Sequence, residues 1–137
     1  MREILFRGKE FDSEKWVEGG ILQTKLFTSI YVVSDLYINE IGVIPETVGQ
    51  FAGLTDKHGK KIFEGDIVKY ENKDGIKFKN KLLTVFGEVV YNKQTASFAV
   101  DGFDNIGGKQ YDYFPINNIE IIGNIYDNPE LLEVQND

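Results

Sequence analysis

The chain has 137 residues, no cysteine, one histidine, and 15 basic against 22 acidic side chains, a formal charge of −7. That inventory excludes disulfides, thiolate metal centres, cysteine nucleophiles and multi-histidine sites, and it argues against a nucleic-acid binder that uses its whole surface. Hydrophobic residues at 42% against 27% charged suffice for a packed core, so a folded chain of single-domain size is expected.

Ten Phe and seven Tyr, with frequent Ile and Val, favour strands, and fourteen Gly favour tight turns. In chain order, Ile4-Leu5-Phe6 opens a strand, and Glu10 to Lys15 connects it to a second strand at Trp16-Val17-Glu18-Gly19. Trp16 is expected to pack inward, with a ligand platform as its other use. Ile30 to Val33 and Leu36 to Ile44 read as strands, with breaks at Ser34-Asp35 or Asn39-Glu40. Pro45 should end the second of these, since it cannot donate to a ladder.

Thr47 to Leu54 reads as a further strand, followed by a tight turn at Asp56-Lys57-His58-Gly59 and a return strand, Lys61 to Glu64. Gly65 to Tyr70 comes next, then a turn at Asn72-Lys73-Asp74-Gly75. Leu82 to Tyr91 and Ala96 to Asp101 form a hairpin across Asn92-Lys93-Gln94-Thr95. Glycines 102, 107 and 108 are expected to make the next loop flexible, and residues 104–118 show no clear pattern. In Ile119 to Tyr126, a period of two places Ile119, Ile121, Gly123 and Ile125 on one face. Asn128-Pro129-Glu130 begins a short helix, with the Asn128 side-chain oxygen as its cap. Val134 to Asp137 is expected to fray.

The fold class that follows is mostly β, all-β or β-rich α+β: a small, partly open barrel or sandwich of short antiparallel strands with a short C-terminal helix. The chain reads as one domain over 1–137, divisible into an N-terminal β subregion at 1–54 and a barrel-like subregion at 60–134. No apolar run exceeds four residues, so neither a signal peptide nor a membrane span is expected, and a cytoplasmic location is the natural reading.

Catalytic constellations are sparse. Asp56, Glu64, Asp66 and Lys69 could form a magnesium-dependent nuclease centre, with carboxylates on the metal and lysine on developing charge. The alternative is that Asp66 bonds turn amides while the others solvate the surface. His58 could act as a general base, but no partner is indicated, and an exposed turn residue is the simpler reading. Phosphate loops and nucleophile elbows are absent. No cofactor is expected, and the protein is read as not an enzyme.

Charge distribution says more. From Lys57 to Lys81 there are eight lysines (Lys57, Lys60, Lys61, Lys69, Lys73, Lys77, Lys79, Lys81) and four acids, so the segment carries +4 and the remainder −11. With Tyr70 and Phe78 as stacking aromatics, the segment could meet nucleic acid or another anionic partner. The simpler reading, and the favoured one, is a solvated loop or lysines that guard a strand edge; docking on the acidic body of a second copy also fits.

Three blocks carry a resemblance: Arg2 to Lys9 with Trp16 to Gly19, Gln50 to Val68, and Ile121 to Leu132. In this order they resemble YopX-like proteins. The resemblance implies an origin in phage or prophage genomes of Gram-positive bacteria, and homo-oligomers. It implies no established activity, cofactor or catalytic residue. Most of these residues also punctuate a fold, as turns and a helix start. The leading expectation is a non-enzymatic phage accessory module that binds a host or phage protein, or itself. Nucleic-acid binding through 57–81 is the alternative, and a metal-dependent nuclease the remote one.

Overall fold

Alternating apolar and polar side chains, punctuated by Asp, Asn and Gly turns, build an antiparallel β protein. The computed structural model describes residues 2–33 and 36–133. The expected break at Ser34-Asp35 and the frayed end at Val134 to Asp137 lie outside them. Two compact units divide the chain, Met1–Gly53 and Leu54–Asp137.

The first unit holds β1 (Phe6–Lys9), β2 (Trp16–Gln23), β3 (Thr28–Val33), β4 (Ile38–Gly42) and the start of β5 (Gly49–Thr55). These strands lie in the order β4-β3-β2-β1-β5, so β4 ends the sheet. Ile30, Val43 and Phe51 are buried in it. Pro45 ends the β4 segment as expected and opens a single 3-10 turn, Pro45–Thr47. The Thr47 hydroxyl donates to the Ile44 carbonyl (2.6 Å) and accepts from the Lys9 N–H (2.9 Å), which pins that turn to β1. Trp16 does not point into the core. It is half-buried opposite Lys9, with the Arg7 guanidinium 4.7 Å and the Lys9 ammonium 5.6 Å from its ring centre. Two cations over an aromatic face hold it at the surface.

The second unit contains β6 (Lys61–Phe63), β7 (Asp66–Glu71), β8 (Lys77–Phe78), β9 (Lys81–Leu82), β10 (Thr84–Asn92), β11 (Ser97–Asp104), β12 (Lys109–Tyr113), β13 (Glu120–Asn124) and the single-turn helix α1 (Glu130–Glu133). Five of these form a sheet in the order β12-β11-β10-β7-β13, while β8 and β9 pair only with each other. Ile67, Val68, Val85, Val89, Ala99 and Val100 form its core. The sheet stays open at β12 and β13 and does not close into a barrel. Pro115, just past β12, lacks the N–H that a continuing ladder requires.

Three details differ from the sequence reading. Gly102 lies inside β11 opposite Gly87, in regular ladder rather than flexible loop. A Cβ at Gly102 would collide with the Phe86 carbonyl, so only glycine permits that approach. In β13, Ile121 faces Val68 but Gly123 faces Ile67, so Ile122 is an extra residue. This bulge ends the expected single face, because parity flips beyond it. Asn128 Oδ1 accepts from the Asn124 N–H (3.3 Å), while its backbone carbonyl accepts from Leu131. The side chain therefore closes the turn before the helix rather than capping helix amides.

One turn design recurs. Asp56 Oδ1 accepts the N–H groups of His58 and Lys60, both at 2.9 Å, and the Asp56 carbonyl accepts from Gly59. Asp104 Oδ1 does the same with Ile106 (3.0 Å) and Gly108 (2.7 Å), and its carbonyl accepts from Gly107. Asn72 Oδ1 takes Asp74 (2.9 Å) and, at longer range, Ile76 (3.5 Å). In each, a glycine three residues on has positive φ: 84° at Gly59, 89° at Gly107 and 69° at Gly75. A side-chain carbonyl or carboxylate replaces the missing backbone acceptor, and glycine supplies the left-handed step. The Gly107-Gly108 segment is thus a tight turn between β11 and β12.

Burial pushes the Asp56 carboxyl up, but N–H bonds from Ile121, Lys60 and His58 outweigh it and hold the group below the ordinary range. A carboxylate depressed in the fold stabilises it above the unfolded pKa, and this contribution fades as pH falls through the folded value. Asp56→Ala should therefore cost about 3 kcal/mol at neutral pH, since each buried donor left unmet costs about 1–3 kcal/mol. The loss should shrink at acid pH. Urea unfolding at both pH values checks this; an equal loss at both would refute the charged-acceptor role.

Candidate functional site

The second unit carries a cleft of about 580 Å³ lined by Lys57, Lys69, Glu71, Thr84, Phe86, Asn105, Asn118 and Glu120, with Tyr70 beneath. Register builds it. Glu120 on β13 lies opposite Lys69 on β7, and Lys69 lies opposite Phe86 on β10. One row across three strands thus presents an acid, a cation and an aromatic on the same face. Thr84 and Glu71 form the next row, two residues on.

The Asp56 turn adds the rim. Asp56 Oδ2 accepts the Ile121 N–H (3.1 Å), and the Lys57 N–H donates to the Ile119 carbonyl (2.9 Å). The turn is therefore tied to β13 on both sides of Glu120. Lys57 and His58 then reach the Glu120 carboxylate, with Lys57 Nζ 3.7 Å and His58 Nε2 3.4 Å from Oε1, while Lys69 Nζ lies 3.4 Å from Oε2. The His58 bond is the largest influence on the Glu120 carboxyl; burial opposes it, and with Lys57 and Lys69 added the group is held below the usual range.

The lysines of 57–81 do not form one patch. Lys57 and Lys69 converge on Glu120. Lys73 Nζ donates to the Tyr113 carbonyl (2.8 Å). Lys60 and Lys61 lie exposed at the β5–β6 turn. Lys77, Lys79 and Lys81 sit on the β8–β9 ribbon with Phe78, which is half exposed. Tyr70 is corrected: it is buried, and its hydroxyl donates to Asp112 Oδ2 at 2.6 Å, so it offers no stacking face. Burial, then the Asp112 carboxylate, raises its pKa and keeps the phenol protonated.

Two acids of the nuclease reading, Asp56 and Asp66, hold backbone N–H groups. Asp66 is 2% exposed, and its Oδ2 accepts the Phe63 N–H (2.8 Å) across the Glu64-Gly65 turn. Asp56 is committed as described. Among the described residues, no three His, Asp or Glu side chains come together as a metal site. Glu120, Phe86, Thr84, Asn105 and Asn118 were not foreseeable as cleft residues, because only strand pairing brings them to Lys57 and Lys69.

A second surface lies in the first unit. At the β3–β4 hairpin, Val33 is 73%, Leu36 90%, Tyr37 60% and Ile38 64% exposed. Leu26 and Phe27, between β2 and β3, are exposed as well. Runs of exposed apolar side chains on one hairpin are uncommon on a surface that meets only water.

The fold and these surfaces define a β-rich protein of open antiparallel sheets. The family model described as YopX protein matches residues 5–133, and the chain belongs to that family. Among solved structures, the chain is similar to one described as the crystal structure of protein EF1440 from Enterococcus faecalis. The identity is 20%, with 96% of this chain and 99% of that one covered and a TM-score of 0.48. No curated protein matches the chain.

Replacing Lys69 with Met removes one cation from Glu120. The Glu120 carboxyl should then titrate at a higher pH than in the parent protein, as read by carbon-13 NMR of the side-chain carboxyl. An unchanged midpoint would show that Lys69 does not act on Glu120 in solution.

Proposed function

We propose that the protein is a non-enzymatic binding module acting through protein–protein contacts, with a second copy of the chain as its first partner. The observation that carries this reading is the β3–β4 hairpin. Its apolar side chains Val33, Leu36, Tyr37 and Ile38 are 60–90% exposed beside a strand that ends its sheet. An edge strand offers unsatisfied N–H and C=O groups to another chain. Protective charge on β4 is limited to Glu40. A two-fold pairing of like edges would satisfy the backbone and cover the apolar tip in one step.

The carboxylates best placed in sequence for chemistry, Asp56 and Asp66, are occupied by backbone N–H groups, which supports a binding role over a hydrolytic one. The wider setting, a phage or prophage accessory protein in the host cytoplasm contacting host or phage proteins, belongs to the same reading. The absence of cysteine suits a reducing compartment. Among the described residues, no helix is long and apolar enough to cross a membrane.

Sedimentation over a hundredfold range of concentration tests the proposal. The parent chain should associate, and Ile38→Lys with Leu36→Lys should shift it to monomer without lowering its melting midpoint. A chain that is monomeric throughout, or one whose association survives both substitutions, overturns the reading.

A further inference from the structure

We propose that the β8–β9 ribbon, together with the cleft at its base, is a docking surface for single-stranded nucleic acid. The ribbon extends the β7–β10 ladder. The Asn72 N–H donates to the Leu83 carbonyl (2.7 Å) just beyond the Glu71–Thr84 pair that lines the cleft, and the Leu83 N–H donates to Ile76 (3.0 Å). Cleft and ribbon therefore follow one another along the same two strands.

Charge on the ribbon is of one sign. Residues 76–83 read Ile-Lys-Phe-Lys-Asn-Lys-Leu-Leu, with three lysines and no acid. The −7 total conceals this local excess. A protruding cationic finger on an acidic body directs a polyanion to one place and repels it elsewhere.

The tip carries an unusual residue. Phe78 pairs with Lys81, so Lys79 and Asn80 form a two-residue turn, with φ of 52° and 65°. Such turns favour Asn-Gly and Asp-Gly, because both central residues need positive φ. Asparagine fits this conformation, whereas a lysine there is held in a strained left-handed backbone. Turn chemistry does not account for Lys79, but an ammonium displayed at the apex of a basic ribbon does. Beside it, the Lys79 ammonium lies 5.5 Å from the Phe78 ring centre, and that ring is 50% exposed.

The aromatics select the single strand. Phe78 on the ribbon and Phe86 in the cleft present faces on which unpaired bases can stack, whereas a duplex keeps its bases stacked on each other. At about 580 Å³ the cleft falls within the range of small-ligand sites, and Thr84, Asn105 and Asn118 set hydroxyl and amide groups around Phe86. Lys57 and Lys69 at its rim are paired with Glu120, and Glu71 also lines it, so the cleft supplies stacking and polar groups while the net positive charge is the ribbon's.

Fluorescence anisotropy of the full chain with a labelled mixed-sequence single-stranded DNA tests this at about 50 mM and about 200 mM salt. Binding should be seen at the lower salt and weaken at the higher. Lys79→Gly keeps the turn, since glycine adopts the same φ, so the melting midpoint should hold or rise while affinity falls several-fold. Phe78→Ala should also weaken binding without unfolding the protein. Replacing Lys77, Lys79 and Lys81 by Gln should reduce the slope of log affinity against log salt by about 2, at about 0.7 per phosphate contact. No binding at the lower salt overturns the proposal. So does affinity unchanged in the Lys79→Gly and triple-Gln variants, or equal competition by a duplex of the same sequence. Equal competition by polyglutamate would assign the ribbon to an acidic protein instead and also overturn it.

Discussion

The geometry of the cleft depends on one carboxylate. Asp56 uses one oxygen to close the β5–β6 turn and the other to hold Ile121 in β13, sixty-five residues away. The first task is local and could be served by Asn, as Asn72 serves the β7–β8 turn. The second is not local. A charged acceptor that spans a turn and a distant strand fixes where Lys57 and His58 stand relative to Glu120. Without it, the acid on β13 and the cations on the turn would belong to separately moving segments. The bulge at Ile122 sits directly after this anchor. The strand is thus held on one side of the irregularity by a side chain, and resumes its ladder with β7 at Gly123 on the other.

The same turn design explains why so much of the fold could be read from the sequence and why one part could not. Asp56-Lys57-His58-Gly59 and Asn72-Lys73-Asp74-Gly75 were recognisable because Asx followed three residues later by Gly has a physical meaning. The strands on either side follow once those turns are placed. Asp104-Asn105-Ile106-Gly107 carries the identical signal, yet the second glycine beside it made the stretch read as a flexible loop. Gly102 misled in the same direction. It serves a close approach of two strands, a requirement that exists only after β10 and β11 have paired. The β13 bulge was hidden for the same reason, since local alternation cannot reveal an extra residue defined by its partner strand.

For the candidate site the division falls in the same place. Lysines and aromatics are visible as residues, but their environments are not. Tyr70 and Phe78 looked alike in sequence. Their fates separate because Tyr70 shares a sheet face with Asp112 three strands away, while the β8–β9 pair has no further strand to cover Phe78. Similarly, Lys57, Lys69 and Lys73 each find an oxygen brought close by tertiary structure, and Lys77, Lys79 and Lys81 are left on a ribbon without acids. A count of charges along the segment therefore overstates the cationic surface in one place and conceals its concentration in another.

Ordering cost makes the ribbon a sensible place for that charge. A lysine on a free loop loses backbone and side-chain entropy when it binds, whereas one on a hydrogen-bonded two-residue hairpin has already lost most of its backbone freedom. The strain at Lys79 fits the same balance. A left-handed lysine lowers the stability of the turn slightly, and the adjoining ladder through Asn72 and Leu83 is strong enough to hold it. The β3–β4 hairpin uses the same principle with different side chains, presenting apolar groups on a strand already fixed by β3. The two hairpins, one apolar and one cationic, lie in different units and share no residue. Their contributions can therefore be separated by substitution.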